Sequence, residues 1–253
     1  MHSMQTNKIV VITGASRGIG AATAKLFAQK GYGVCINFLT DDIAAEQLKN
    51  EILQYTARCI TVKADVSKSS EVQRLFDTVD KELGCLSVLV NNVGILKNQC
   101  RLDEIDEQRF SQVLTTNVMS CFLCSKQAVK RMSSKYGGSG GAIVNVSSGA
   151  AKSGSPNEYV DYAASKGAID SLTKGLAMEV AAESIRVNAV RPGLIYTDIH
   201  TSGGEPNRIH RLKSKIPMQR GGEPKEVAEA IYWLASKKSS FVTGSFVDIA
   251  GGL

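Results

Sequence analysis

The 253 residues are 43% hydrophobic, enough to fill one α/β core, and no linker-like stretch divides them. The net charge of +6 comes with no nucleic-acid-binding motif or aromatic platform, so no nucleic-acid partner is expected. No apolar run approaches the ~20 residues that span a bilayer, no secretory signal precedes the first strand, and six cysteines read as reduced thiols; the expectation is a cytoplasmic protein without a membrane partner.

Met1-His2-Ser3, ahead of Met4, reads as an expression remnant, so the domain is taken as residues 4–253. Lys8-Ile9-Val10-Val11-Ile12-Thr13 is a β-branched run of the kind that makes a buried parallel strand. Gly14-Ala15-Ser16-Arg17-Gly18-Ile19-Gly20 follows at once, and a helix is predicted over residues 17–30, stopped by Gly31. Strand, glycine loop and helix in that order make a dinucleotide site. The glycines let backbone N–H groups approach a pyrophosphate at the positive end of the helix. Gly14, Ser16, Arg17, Gly18, Ile19 and Gly20 are the candidates.

Further strands are predicted at 33–38, 58–63, 86–91, 141–147, 185–191 and 244–249. Helices are predicted at 42–54, 69–83, 106–136, 161–182 and 224–235. The alternation predicts a Rossmann-type, doubly wound parallel α/β sheet of about seven strands with helices on both faces. Residues at the C-terminal ends of the strands then line one crevice. Cys121-Phe122-Leu123-Cys124 falls inside a predicted helix without a second cysteine pair, so packing, not metal or redox chemistry, is expected there.

Tyr162-Ala163-Ala164-Ser165-Lys166 puts a phenol and an ammonium on one helix face. A cation beside a tyrosine favours the phenolate and brings it toward a useful pKa. Ser148 ends a strand with its hydroxyl over the crevice, and Asn117 stands mid-helix, where asparagine is unfavourable and another use for the side chain is implied.

The cofactor's 2′ position is decided at the end of strand two. There Ile36-Asn37-Phe38-Leu39-Thr40 offers no acid; Asn37 joins the cofactor set, and Asp41 and Asp42 look like helix N-caps. Arg17 can reach a 2′-phosphate, so NADP(H) is favoured, with NAD(H) the alternative.

Thr13-Gly14-x-x-x-Gly18-x-Gly20, Asp65-Val66, Asn91-Asn92-Val93-Gly94, Asn117, Ser147-Ser148, Tyr162-x-x-x-Lys166 and Arg191-Pro192-Gly193-x-Ile195-x-Thr197 stand in an order that resembles the short-chain dehydrogenases/reductases over residues 8–252. The resemblance implies an NAD(P)(H)-dependent oxidoreductase interconverting a secondary alcohol and a carbonyl. It implies Tyr162 as general acid/base, Ser148 polarising the substrate oxygen and Lys166 on the ribose. Asn117 would order a proton relay.

It adds Asp65, Val66, Asn91, Gly94, Pro192, Gly193, Ile195 and Thr197 to the cofactor set, requires no metal, and implies a homotetramer. Ser148 lies 14 positions before Tyr162, one more than is usual in the family, so an extra residue is expected near Ser155-Pro156-Asn157. Residues 199–218 are expected to form a substrate lid, and the five arginines and lysines within 205–220 could draw in an anionic or carrier-bound substrate or simply face solvent. A sugar dehydrogenase, a 3-oxoacyl-carrier-protein reductase and a reductase of other small carbonyls stay open; a non-catalytic dinucleotide sensor is the remote alternative.

Overall fold

A computed structural model of the chain describes residues 8–253; Met1-His2-Ser3 lies outside them. The first half runs β1 (Ile9–Ile12), α1 (Gly18–Gln29), β2 (Gly33–Phe38), α2 (Asp42–Ile52), β3 (Cys59–Lys63), α3 (Ser69–Glu82), β4 (Leu86–Asn91), α4 (Glu107–Leu114) and α5 (Ser120–Met132). The second runs β5 (Gly141–Val146), α6 (Ala150–Ser153), α7 (Val160–Val180), β6 (Ile185–Pro192), α8 (Ile199–Ser202), α9 (Arg208–Leu212), α10 (Pro224–Ala235) and β7 (Phe246–Ile249). The strands form one parallel sheet in the order β3-β2-β1-β4-β5-β6-β7. The order reverses between β1 and β4, the switch point at which doubly wound sheets bind ligands.

The apolar strands feed two cores because successive side chains point to opposite faces. Val10 and Ile12 of β1 pack with Phe27, Leu48 and Ile231 from α1, α2 and α10. Ile9 and Val11 pack on the other face with Phe76, Ala128 and Ala177 from α3, α5 and α7. Both faces are covered, as the near-continuous β-branched runs require.

The predicted helix over 106–136 is not continuous. Residues Thr115–Met119 form a π turn between α4 and α5, and the helix ends at Met132. The extra residue in that turn carries the fully buried Asn117.

Cys35, Cys59, Cys121 and Cys124 are buried, Cys100 is half-buried and Cys85 is exposed. Burial pushes the four interior thiols up, Cys59 and Cys121 to about 12. A thiol reagent at neutral pH should therefore consume Cys85 first and Cys100 more slowly, and reach the other four only in denaturant. Rapid modification of Cys121 or Cys124 in native protein, located by peptide mass mapping, would contradict this packing.

Candidate active site

A cavity of about 1050 Å³ opens along the C-terminal ends of β1, β2, β4, β5 and β6. Its near wall is the glycine loop. Gly14 and Gly18 adopt φ values of 59° and 57°, which disfavour a side chain. At Gly20 a Cβ would stand 2.7 Å from the Gly14 carbonyl oxygen, so this glycine lets the first turn of α1 close against the loop. Gly14, Ser16, Arg17, Gly18 and Ile19 line the cavity; Gly20 packs behind them.

The following residues are placed differently from expectation. The Asn37 side chain does not face the cavity: Oδ1 accepts from the Gly14 N–H at 3.3 Å, and Nδ2 donates to the Val62 and Ala64 carbonyls at 3.2 and 3.0 Å. It is a buried strut that holds the loop to β2 and β3. Phe38, Leu39, Thr40 and Asp41 line the wall instead. Asp41 caps α2, accepting from the Ala44 N–H, while Asp42 follows in the first turn and pairs with Lys63.

Asn91 also turns away, donating to Asn145 and Ser125. Its neighbour Asn92 takes the expected place, donating to the Thr13 and Gly14 carbonyls from the cavity edge. Asp65 and Val66 lie outside the cavity wall. The Asp65 carboxylate is bonded by Ser67 and Lys68, and Val66 is buried in the second core. Gly94 does line the cavity, where a Cβ would come within 3.2 Å of the Lys166 Nζ.

The far wall carries Tyr162 and Lys166, one turn apart on α7, with Ser148 after β5. The Tyr162 hydroxyl is close enough to the Ser148 side chain for that serine to oppose the rise in its pKa, and the Ser148 Oγ accepts the Ala150 N–H at 3.1 Å. Ser147 is buried and donates to the Lys166 carbonyl. Gly154, Ser155 and Asn157 all have positive φ, so the loop between Ser148 and Tyr162 runs through left-handed turns.

Burial drives the Tyr162 phenol up to about 12, opposed in part by the Ser148 side chain. The Lys166 ammonium is drawn down to about 8, again chiefly by burial. Its Nζ donates to the Val146 carbonyl at 2.8 Å and sits 5.5 Å from the Tyr162 ring centroid. Among the protein's own groups the ammonium therefore does not pull the phenol down, contrary to the expectation from spacing; desolvation of both outweighs their coupling.

Asn117 stands behind this wall. Its Oδ1 accepts the Ile95 N–H at 2.7 Å, and its Nδ2 donates to the Ile95 carbonyl and the Ser165 Oγ. The side chain clamps the 94–96 backbone to α7.

Pro192, Gly193, Ile195 and Thr197 line the far end beneath α8 and α9. A Cβ on Gly18 would be 3.3 Å from the Thr197 Cγ2, so this run meets the glycine loop across the cavity.

The arginines of the basic stretch beyond are paired, while Lys213 and Lys215 stay exposed. Arg208 pairs with Glu158 and, at 3.0 Å, with Glu205, while Arg211 hydrogen-bonds Glu205 at 2.9 Å. Arg220 pairs with Glu226. The site's less obvious members are His200 and Tyr159, which the sequence did not single out; Arg208, expected on the lid, also lines the cavity. A buried histidine just after the cofactor-wrapping run was the signal available. The described residues hold no group of acidic, cysteine or histidine ligands suited to a metal ion.

A family model described as Enoyl-(Acyl carrier protein) reductase matches residues 14–253. An uncharacterized oxidoreductase of Escherichia coli, YgfF, is 57% identical over 96% of this chain and 99% of its own length. Glucose 1-dehydrogenase 2 of Bacillus subtilis is 34% identical over 100% and 97%. A solved 3-ketoacyl-(acyl-carrier-protein) reductase of Brucella melitensis, complexed with NADH, superposes with a TM-score of 0.90 at 31% identity, covering 98% of this chain and 99% of that one. The motif order, the parallel sheet with its glycine loop at the switch point, and these relatives place the chain in the short-chain dehydrogenase/reductase family, as an oxidoreductase that uses a nicotinamide dinucleotide.

Proposed function

We propose that the enzyme interconverts a secondary alcohol and a carbonyl, with Tyr162 as proton donor and acceptor. The observation that carries this is the convergence of Tyr162, Ser148 and Lys166 on one wall of the cavity. The dinucleotide, when bound, supplies or accepts the hydride. Tyr162 holds a proton on its hydroxyl at neutral pH and gives it to the developing alkoxide. Ser148 donates to the same oxygen, and Lys166 donates to the ribose while adding positive charge beside the phenol. Asn117 keeps the 94–96 backbone against the helix that carries Tyr162.

NADP(H) is the proposed preference: Arg17 is exposed on the cavity wall, and Asp41, the cavity-lining carboxylate that follows β2, is engaged in capping α2. Residues 199–218 are proposed as the lid, since Ile199, Ser202 and Leu212 reach over the cavity. With Arg208 and Arg211 paired to Glu158 and Glu205, the charge the lid could offer an anionic or carrier-bound substrate is left to the exposed Lys213 and Lys215. A cytoplasmic homotetramer is proposed; the exposed apolar side chains Phe110, Met119 and Phe122 on and between α4 and α5, with Phe241 near β7, support an assembly that covers them.

A turnover screen of sugars, 3-oxoacyl thioesters and small ketones with both dinucleotides, read by absorbance of the reduced nicotinamide, tests the reading. Turnover with at least one substrate, at a higher kcat/KM with NADP(H), is expected. Folded protein that binds dinucleotide but turns over nothing would favour a sensor.

Parallel Ser148→Ala and Ser147→Ala variants test the register. The first should lose turnover by about a hundred-fold or more, as loss of a hydrogen-bond donor to a developing oxyanion does; the second should act through stability. Greater loss of turnover in folded Ser147→Ala would move the assignment by one residue.

A further inference from the structure

His200 lies in α8 at the start of the proposed lid, is only 9% exposed, and lines the same cavity as Tyr162. Its Nε2 is 3.1 Å from the Ile195 carbonyl oxygen. A carbonyl can only accept, so Nε2 carries the proton and Nδ1 is left as a bare acceptor. That Nδ1 is buried and has no partner. The Ile195 carbonyl also accepts from the Thr197 Oγ at 3.3 Å, so one oxygen gathers both the lid helix and the run that follows β6.

We infer that His200 is a positioning residue for the dinucleotide: as the neutral Nε2–H tautomer it ties α8 to the 192–197 run, and a second proton, forced onto the buried, partnerless Nδ1, favours the opened arrangement of α8. The inference rests on the reading, proposed above, that this run holds the nicotinamide end of the cofactor.

A second proton would have to sit on Nδ1, where nothing accepts a hydrogen bond. The charged groups that act on the ring are Arg208 of α9, which opposes the added charge, and Glu205 before it, which favours it. Both are already bound to one another, and Arg208 is held further by Glu158 and lies over the Tyr159 ring. Burial outweighs these and keeps the imidazole neutral below its ordinary range. The sign follows. As pH falls through the ordinary imidazole range, an opened lid takes up the proton first, so the closed arrangement loses stability toward its own lower pKa and keeps it in full above the ordinary value.

The test compares His200→Ala, His200→Gln and a control, Thr197→Val, by dinucleotide affinity from fluorescence titration, by KM and kcat, and by the pH dependence of affinity. Circular dichroism follows folding in parallel. His200→Ala should weaken dinucleotide binding about five- to twenty-fold, in KM more than in kcat, as loss of one buried hydrogen bond does. His200→Gln retains an N–H donor that does not titrate; it should restore affinity at neutral pH and abolish the acid loss seen in the wild type.

If Thr197→Val weakens binding while His200→Ala does not, the role assigned to His200 is overturned and the reading of the run stands. If neither variant weakens it, that reading fails and the inference falls with it. An acid loss that persists in His200→Gln, or a wild type with no acid loss short of unfolding, also overturns it. Should His200→Ala not fold, the glutamine variant and the pH profiles decide.

Discussion

Tyr162→Phe should lower turnover by about a hundred- to ten-thousand-fold, the range expected of a positioned acid or base, while dinucleotide affinity changes little. The substitution removes one oxygen and keeps the ring. That ring packs beside the Lys166 Nζ, 5.5 Å from the ring centroid, so the wall of the cavity survives. What disappears is the hydroxyl beside Ser148, whose pKa burial drives up to about 12. A phenol in that range is almost wholly protonated at neutral pH and ready to give its proton to an alkoxide. In the oxidative direction the same group must first lose its proton, so turnover of an alcohol should rise with pH more steeply than reduction of the carbonyl. Retention of as much as a tenth of the wild-type rate would sink the role assigned to Tyr162.

The sheet was readable because β-branched runs bounded by glycine and polar residues recur at βαβ spacing, and each run was found as a strand. The interruption of the long helix was not readable from periodicity, since apolar residues continue through the π turn at Thr115–Met119. The one signal was Asn117 itself, a residue that disfavours helix interiors and uses its amide on the Ile95 backbone.

Side-chain direction was the commonest gap. All six residues of β2 are buried, so no alternation showed that Asn37 points into the sheet edge rather than into the cavity. Asn91 and Asn92 are adjacent and chemically alike, and only the strand's pleat separates the one bonded to Asn145 from the one holding the glycine loop. Charge was the other gap. Counting along the chain made 205–220 a basic stretch, yet Glu158, fifty residues before Arg208, folds back to pair with that arginine. Likewise the Tyr162–Lys166 spacing revealed their shared face but not the desolvation that governs both groups.

Lys166→Met should abolish most turnover, weaken dinucleotide binding, and yet leave the fold more stable at neutral pH. The long unbranched side chain keeps the volume of a residue only 2% exposed, so no large cavity is created. The ammonium is costly where it stands: burial lowers its pKa from 10.5 to about 8. A folded-state pKa below the unfolded one means the charged form is penalised in the fold. The penalty is present in full below pH 8 and disappears as pH rises toward 10.5, because over that window the unfolded chain holds the proton longer. Its size is about 3 kcal/mol. Methionine removes that cost but leaves the Val146 carbonyl without its donor, which returns about 1–3 kcal/mol. The expected net gain is thus about 1 kcal/mol at pH 7, shrinking and then reversing toward pH 10 as the wild-type lysine becomes neutral. Denaturant midpoints of the two proteins at pH 7 and pH 9.5 measure it. A methionine variant less stable than wild type by the same margin at both pH values would mean that the ammonium is fully compensated in the fold. Lys166 would then be a structural cation, not a charge held under strain for the cofactor and the phenol.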